Sequence, residues 1–182
     1  MPHIDGYNFE MNTNTKKLSL CMCIVLSLGV TACGSTPKGS DARAYARVKD
    51  WRSVLDLRSL ERQYDLPKGL LSAVMHQESG GKANARSHVG AGGLFQIMPA
   101  TARSLNLDSA YHPEPAAKAA AMYLSQLYNH YHSDLKLTLA AYNWGIGNVD
   151  RYLASGASGF DDMPEETKIY ISRVTKLRRF YD

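Results

Sequence analysis

Glu78 is the residue best placed to do acid/base chemistry. It follows Met75 by three positions, Val74 by four and Leu71 by seven, so on a helix it continues the apolar face those residues define. A carboxyl group at the end of a buried stripe, directly before the stop signal Gly80-Gly81, should border both the core and a cleft. Partial desolvation there disfavours the charged form and raises the pKa. A glutamate tuned to roughly 6 holds a proton near neutral pH and delivers it to a leaving oxygen. On the helix alone, a glutamate in a last turn more often swings into solvent, because charged side chains escape burial. The residues that follow it decide between the two.

Other site chemistries find little support. Cys21, Cys23 and Cys33 all fall in the first fifth of the chain, so the folded part has no thiol for a disulfide framework or a Cys-based metal site. The histidines are His3, His76, His88, His112, His130 and His132. The close pair His130 and His132, two positions apart, would point to different sides of a helix. No metal and no cofactor are expected.

The elements that must position Glu78 read as helices almost throughout. Asp41 to Tyr64 carries Val48, Trp51, Leu55 and Leu60 among charges, one amphipathic helix or two. Pro67 stands where a first turn tolerates it, which predicts a helix from Pro67 to Ser79. Pro99-Ala100-Thr101-Ala102 opens a short helix, and an alanine-rich stretch from Pro115 to about Tyr131 a long one. Asp134 caps another through Ala141, and Pro164 opens the last, with Tyr170, Val174, Leu177 and Tyr181 as its stripe. No run of alternating strand residues stands out. The expected fold is mainly α, a single globular domain with little or no β.

The chain of 182 residues has room for one domain plus a leader, and its 45% hydrophobic and 21% charged content fits a globular protein. A net charge of +4 is far from the dense basic stripe of a nucleic-acid binder, so no nucleic acid is expected as partner. Lys16 and Lys17 precede the uncharged run Leu18 to Ala32, which is shorter than the ~20 apolar residues of a membrane span. A basic start, a short apolar run and small residues at its end describe a secretory signal over residues 1–32. Val30-Thr31-Ala32-Cys33 resembles the lipobox of bacterial lipoproteins, in which the cysteine becomes the lipidated first residue. Asp5 and Glu10 suit such a leader poorly and Met11 is a better start, so residues 1–10 read as an extension. Residues 33–40 read as a lipid-anchored tether and 41–182 as the functional domain. Glycine at position 34 favours the outer membrane, with the domain on the periplasmic side.

Between these landmarks lie Glu78-Ser79-Gly80, Asn84-Ala85, Ser87, Gly90-Ala91 and Gly93-Leu94-Phe95-Gln96-Ile97-Met98-Pro99-Ala100-Thr101-Ala102. Further on come Ala140-Ala141-Tyr142-Asn143-Trp144-Gly145 and Pro164-Glu165-Glu166-Thr167 with Tyr170. Together these closely resemble, in order and over roughly residues 67–175, the soluble-lytic-transglycosylase family, related in fold to goose-type lysozyme. The resemblance implies a lysozyme-like fold and cleavage of peptidoglycan glycan strands. It implies Glu78 as the acid that protonates the glycosidic oxygen and later acts as base. Ser87 would bond near the scissile linkage or the N-acetyl group, and Gln96 and Met98 would line the sugar groove. Tyr142 would point its hydroxyl at the acetamide or at Glu78, with Asn143 supporting the loop. Glu166 would orient groups across the cleft, and Tyr170 would pack beneath it. From the residues alone, Met98 and Tyr170 read equally well as core, and Asn143 and Gly145 as turn formers. Gly81 and Ala83 replace a usual aromatic and a usual proline, which implies a looser loop after Glu78, and Gly92 replaces a common methionine.

Glycosidases that retain or invert normally use two carboxylates, whereas the residue nine after Glu78 is Ser87. A lone carboxyl suits a route in which the substrate assists, and the resemblance implies a lyase in which the N-acetyl group of N-acetylmuramic acid stabilises the cationic sugar and the 6-hydroxyl closes on C1 to give a 1,6-anhydro end. A hydrolytic muramidase of the same fold, with Glu166 or Asp161/Asp162 positioning water, and a non-catalytic wall-binding lipoprotein stand as alternatives. The implied partners are glycan strands and a membrane, through the lipid on Cys33. A cell-envelope secretion machine stays open beside housekeeping wall turnover.

Overall fold

A computed structural model describes residues 37–157 and 159–182. The leader, Cys33 and the first part of the tether lie outside the described residues. Eight α-helices follow one another: α1 (Ser40–Val54), α2 (Leu57–Gln63), α3 (Leu70–Ser79), α4 (Pro99–Ser104), α5 (Pro113–His130), α6 (Leu135–Trp144), α7 (Ile146–Ala154) and α8 (Glu165–Arg178), with a 3-10 turn at Phe160–Asp162 before the last. Among the described residues no strand forms; isolated bridges join Arg86 to Gly92 and Gly92 to Ile97. The fold is mainly α, as the periodicity implies.

Helix α3 runs through the middle of the core. Leu70 to His76 are all buried, and α1, α2, α5 and α8 pack around the helix. An all-round apolar helix of this kind must be enclosed by others. The alanines of α5 (Ala116, Ala117, Ala119, Ala120 and Ala121) are buried, and their small size lets α2, α3 and α6 approach closely. The stripe of α8 is inside as expected, with Tyr170, Val174 and Leu177 buried and Tyr181 beyond them.

α5 begins at Pro113, two residues before the expected Pro115, and three other differences from the sequence reading have a visible cause. α3 begins at Leu70, not Pro67, because Gly69 adopts φ 75° and the carboxylate of Glu61 accepts the N–H groups of Gly69 (2.9 Å) and Leu71 (3.0 Å). That buried carboxylate, 1% exposed, replaces the missing partners of a helix start. α6 does start at its Asp134 cap, whose side chain accepts from Lys136 N and Leu137 N, but it runs on to Trp144. α7 is not among the expected helices: Asn143 and Gly145 read as turn formers, yet after Gly145 the burial of Val149 and Tyr152 holds the segment helical.

Between α3 and α4 the chain runs as a glycine-rich loop under the site. Gly93 has φ 74°, and a Cβ there would fall 1.8 Å from the Ala110 carbonyl oxygen. Glycine is required because backbone meets backbone at that point.

Candidate active site

Glu78 occupies the last turn of α3, where the buried stripe ends, and is half-buried. Burial pushes its carboxyl up to about 7, against the smaller opposing effect of a hydrogen bond from Tyr170. The Tyr170 hydroxyl, reaching in from α8, donates to Glu78 Oε1 at 2.7 Å. Tyr170 is itself 4% exposed, and burial followed by the neighbouring Glu78 charge holds its hydroxyl well above the usual tyrosine range. A neutral phenol that cannot ionise is a dependable donor to the carboxyl beside it.

The tyrosines are assigned differently from the expectation. The Tyr142 hydroxyl makes no hydrogen bond to Glu78; it donates to the Phe95 carbonyl at 2.9 Å. Burial first, and the nearby Glu78 charge second, raise its pKa well above normal, so Tyr142 borders the carboxyl without bonding to it. Tyr170 does more than pack beneath, being the donor to Glu78.

The loop that faces Glu78 is tied by its own side chains. Ser79 Oγ donates to the Leu94 carbonyl at 2.8 Å and accepts from Gly81 N at 3.1 Å, locking the end of α3 to the loop. Ser87 Oγ accepts from Ala91 N at 2.9 Å, which leaves its own proton to donate. Gln96 takes φ 46°, a conformation that costs of order 1 kcal/mol for a non-glycine residue. Its Nε2 donates to the carbonyls of Ala85 (3.1 Å) and Gly93 (2.9 Å), so the side chain offers a carbonyl oxygen to the cleft. Asn143 accepts from the hydroxyl of buried Thr167 at 3.0 Å, tying α6 to α8. Sequence reasoning missed Thr167 and Ser79 as site supports, although both stand inside the quoted motifs.

A cavity of about 300 Å³ opens beside this network, bounded by Gln96, Met98, Tyr142 and Asn143 and also by Tyr123 and Trp144, which the sequence did not single out. Met98 is 41% exposed at the head of α4, so it faces the cleft and is not core. Glu78, Ser87, Glu166 and Tyr170 are not among the lining side chains. Glu166 stands exposed in the first turn of α8 and makes no hydrogen bond to any of the other candidates among the described residues. Asp161 and Asp162 are exposed as well. The expected looseness after Glu78 is also overturned: Arg47 Nε donates to the Gly80 carbonyl at 2.7 Å and Trp51 Nε1 to the Gly81 carbonyl at 3.0 Å.

Residues 57–161, more than half of the chain, match the family model described as the transglycosylase SLT domain. This chain belongs to that family. The SLT segment contains Glu78, the glycine-rich loop and the Tyr142-Asn143 block, but ends before Glu166 and Tyr170 and begins after α1. Among curated relatives, the chain is 31% identical over 146 residues to membrane-bound lytic murein transglycosylase F of Cellvibrio japonicus, covering 76% of this chain and 29% of that protein. It is 40% identical over 88 residues to the transglycosylase of Enterobacteria phage PRD1, covering 48% of this chain and 33% of the relative. The solved 70 kDa soluble lytic transglycosylase of Escherichia coli superposes with a TM-score of 0.60 at 25% identity, covering 78% of this chain and 28% of that one. The chain thus spans about a third or less of these relatives, and it shares with them the SLT lysozyme-like fold.

Proposed function

We propose that this SLT domain cleaves the β-1,4 bond between N-acetylmuramic acid and N-acetylglucosamine in peptidoglycan as a lyase, with Glu78 as general acid and then base. Glu78 gives its proton to the glycosidic oxygen as the C1–O bond breaks, and the N-acetyl carbonyl of the muramic residue stabilises the cationic sugar. The carboxylate then takes the proton of the 6-hydroxyl as O6 bonds to C1. Water is not consumed, the leaving strand carries the first proton, and Glu78 ends as it began. Acid, base and nucleophile are all supplied by Glu78 and the sugar, so this route needs no cofactor.

One observation carries the reading: a half-buried carboxyl held near 7 with one hydrogen-bond donor, Tyr170, and no second carboxylate joined to its network among the described residues. A group with a pKa near the working pH serves both halves of an acid-then-base cycle. The exposure of Glu166, Asp161 and Asp162 weighs against the hydrolytic alternative, which needs a second carboxylate to hold water. In this reading Gln96, Met98, Tyr142 and Asn143 form the sugar groove, Ser87 bonds near the N-acetyl group, and Tyr170 holds the acid in place. Glu166 has the weakest support as a substrate-contact residue. Cys33 is read as the lipidated residue that holds the domain on the periplasmic face of the outer membrane.

Mass spectrometry of digested peptidoglycan tests the proposal. The lyase leaves 1,6-anhydro ends, and Glu78→Gln leaves none. Free reducing ends would instead make the domain a muramidase, and retention on sacculi without any product would make it a binding module.

A further inference from the structure

Helix α1 lies outside the segment that matches the SLT family, yet it grips the turn that carries Glu78. Its Arg47 guanidinium and Trp51 indole each donate to a backbone carbonyl of Gly80 and Gly81, at 2.7 and 3.0 Å. These carbonyls follow the last turn of α3, where the helix has no partners of its own for them. The packing is as close as the bonding. A Cβ on Gly81 would stand 2.8 Å from Arg47 Cβ and 3.2 Å from Val48 N, and Gly81 also has φ 78°. Glycine at position 81 therefore lets the α1 backbone come up against the turn.

Further contacts join α1, α3, α8 and the residues after α8 nearby. Asp41 lies 3.3 Å from Arg173, whose Nε donates to Gln77 Oε1 at 2.7 Å, and 3.7 Å from His76 Nε2. His76 Nδ1 meets the Tyr181 hydroxyl at 2.7 Å, and Tyr181 stacks on Tyr45 of α1. The solvent-exposed pair Asp41–Arg173 contributes little by itself. The bonds from Arg47 and Trp51 are part-buried and directed at backbone two and three residues from the carboxyl, which makes them the candidates that matter.

We propose that Arg47 and Trp51 are positioning residues for Glu78: α1 clamps the Gly80–Gly81 turn from one side while Ser79 ties it to Leu94 from the other, so that the carboxyl cannot swing out to water. The functional part of this inference rests on Glu78 being the acid; the clamp itself does not. Without the clamp, the end of α3 frays, water reaches the carboxyl, and its pKa falls toward the ordinary glutamate range.

The test uses the full chain with Trp51→Phe, which removes the N–H donor and shrinks the indole to a phenyl ring, Arg47→Met, the double variant, and Arg47→Lys as the conservative rescue. The Glu78 carboxyl is titrated by side-chain carbon NMR in each, and kcat and KM are measured on peptidoglycan fragments across pH. The proposal predicts that the Glu78 midpoint falls by roughly half a unit or more in the double variant. It also predicts that kcat falls about tenfold with the alkaline limb moving to lower pH, while KM changes less than about twofold and Arg47→Lys recovers most of the loss. Should the double variant fail to fold, Trp51→Phe alone decides, with the same direction expected. An unmoved Glu78 midpoint in a folded variant overturns the proposal, whatever happens to Tm. Because the titration needs no substrate, a wild type that cleaves nothing would sink the catalytic reading while a moved midpoint still supported the clamp.

Discussion

Two glutamates sit at the two ends of one helix and are treated in opposite ways. Glu61, at the start of α3, is 1% exposed and receives two backbone N–H groups, with Arg58 3.4 Å away. Its charge faces the positive end of a helix and meets groups that need an acceptor. Glu78, at the far end, receives a single donor among the described residues, Tyr170. The same side chain is thus a cap where the helix offers donors and a poised acid where it does not. Burial opposed by only one hydrogen bond raises the carboxyl's pKa, the property on which the proposed acid role of Glu78 depends.

The comparison breaks most easily at Glu78. Glu78→Gln should lower turnover by roughly 10²–10⁴-fold, the usual worth of a positioned general acid, with no loss of Tm. If activity survives intact, the contrast between the two ends has no functional meaning. Glu61→Ala should do the reverse. Two buried N–H groups lose their partner, which costs about 1–3 kcal/mol each in stability, while turnover per folded molecule stays near wild type. Urea denaturation alongside an activity assay on the same samples separates the two outcomes.

A pH dependence follows from the direction of the Glu78 shift. Its carboxyl is raised from 4.5 to about 7 on folding, so the folded state holds a proton that the unfolded state has released. The resulting contribution to stability is fully present below the unfolded pKa and is lost as pH rises from about 4.5 through about 7. Wild type should therefore lose stability relative to Glu78→Gln across that window, and the rate should fall on the alkaline side of about 7 as the proton donor is lost. The smallest effect is expected from Tyr170→Phe. The tyrosine bond favours the ionised carboxylate, so its removal should raise the alkaline limb slightly and cost roughly threefold to tenfold in kcat. A limb that moved down would mean that Tyr170 acts by shielding the carboxyl, not by its hydroxyl.

The two ends were not equally legible in the sequence. Helical spacing from Leu71, Val74 and Met75 brings the Glu78 carboxyl up to the core, but spacing alone leaves it free to swing into solvent, and the resemblance carried by the residues after it is what singles it out. Glu61 gives no such signal: its partners are eight and ten residues away across a turn that only Gly69 permits. Without that contact, Pro67 looked like the helix start. Tyr170 and Glu78 are 92 positions apart, so no local pattern could say which tyrosine supplies the donor; Tyr142, for which the acetamide and Glu78 both stood open, bonds to the Phe95 carbonyl instead of Glu78. The clamp from Arg47 and Trp51 depends on tertiary packing against two glycines that, read alone, imply a loose loop. Periodicity reports which face of a helix is buried; it is silent on which distant group arrives there.

The central claim is that the end of α3 keeps one carboxyl protonated near neutral pH. Direct titration of Glu78 by side-chain carbon NMR, with its resonance assigned by its absence in Glu78→Gln, measures this without any substrate. A midpoint near 7 is the predicted result. A midpoint in the ordinary glutamate range, around 4.5, would contradict it.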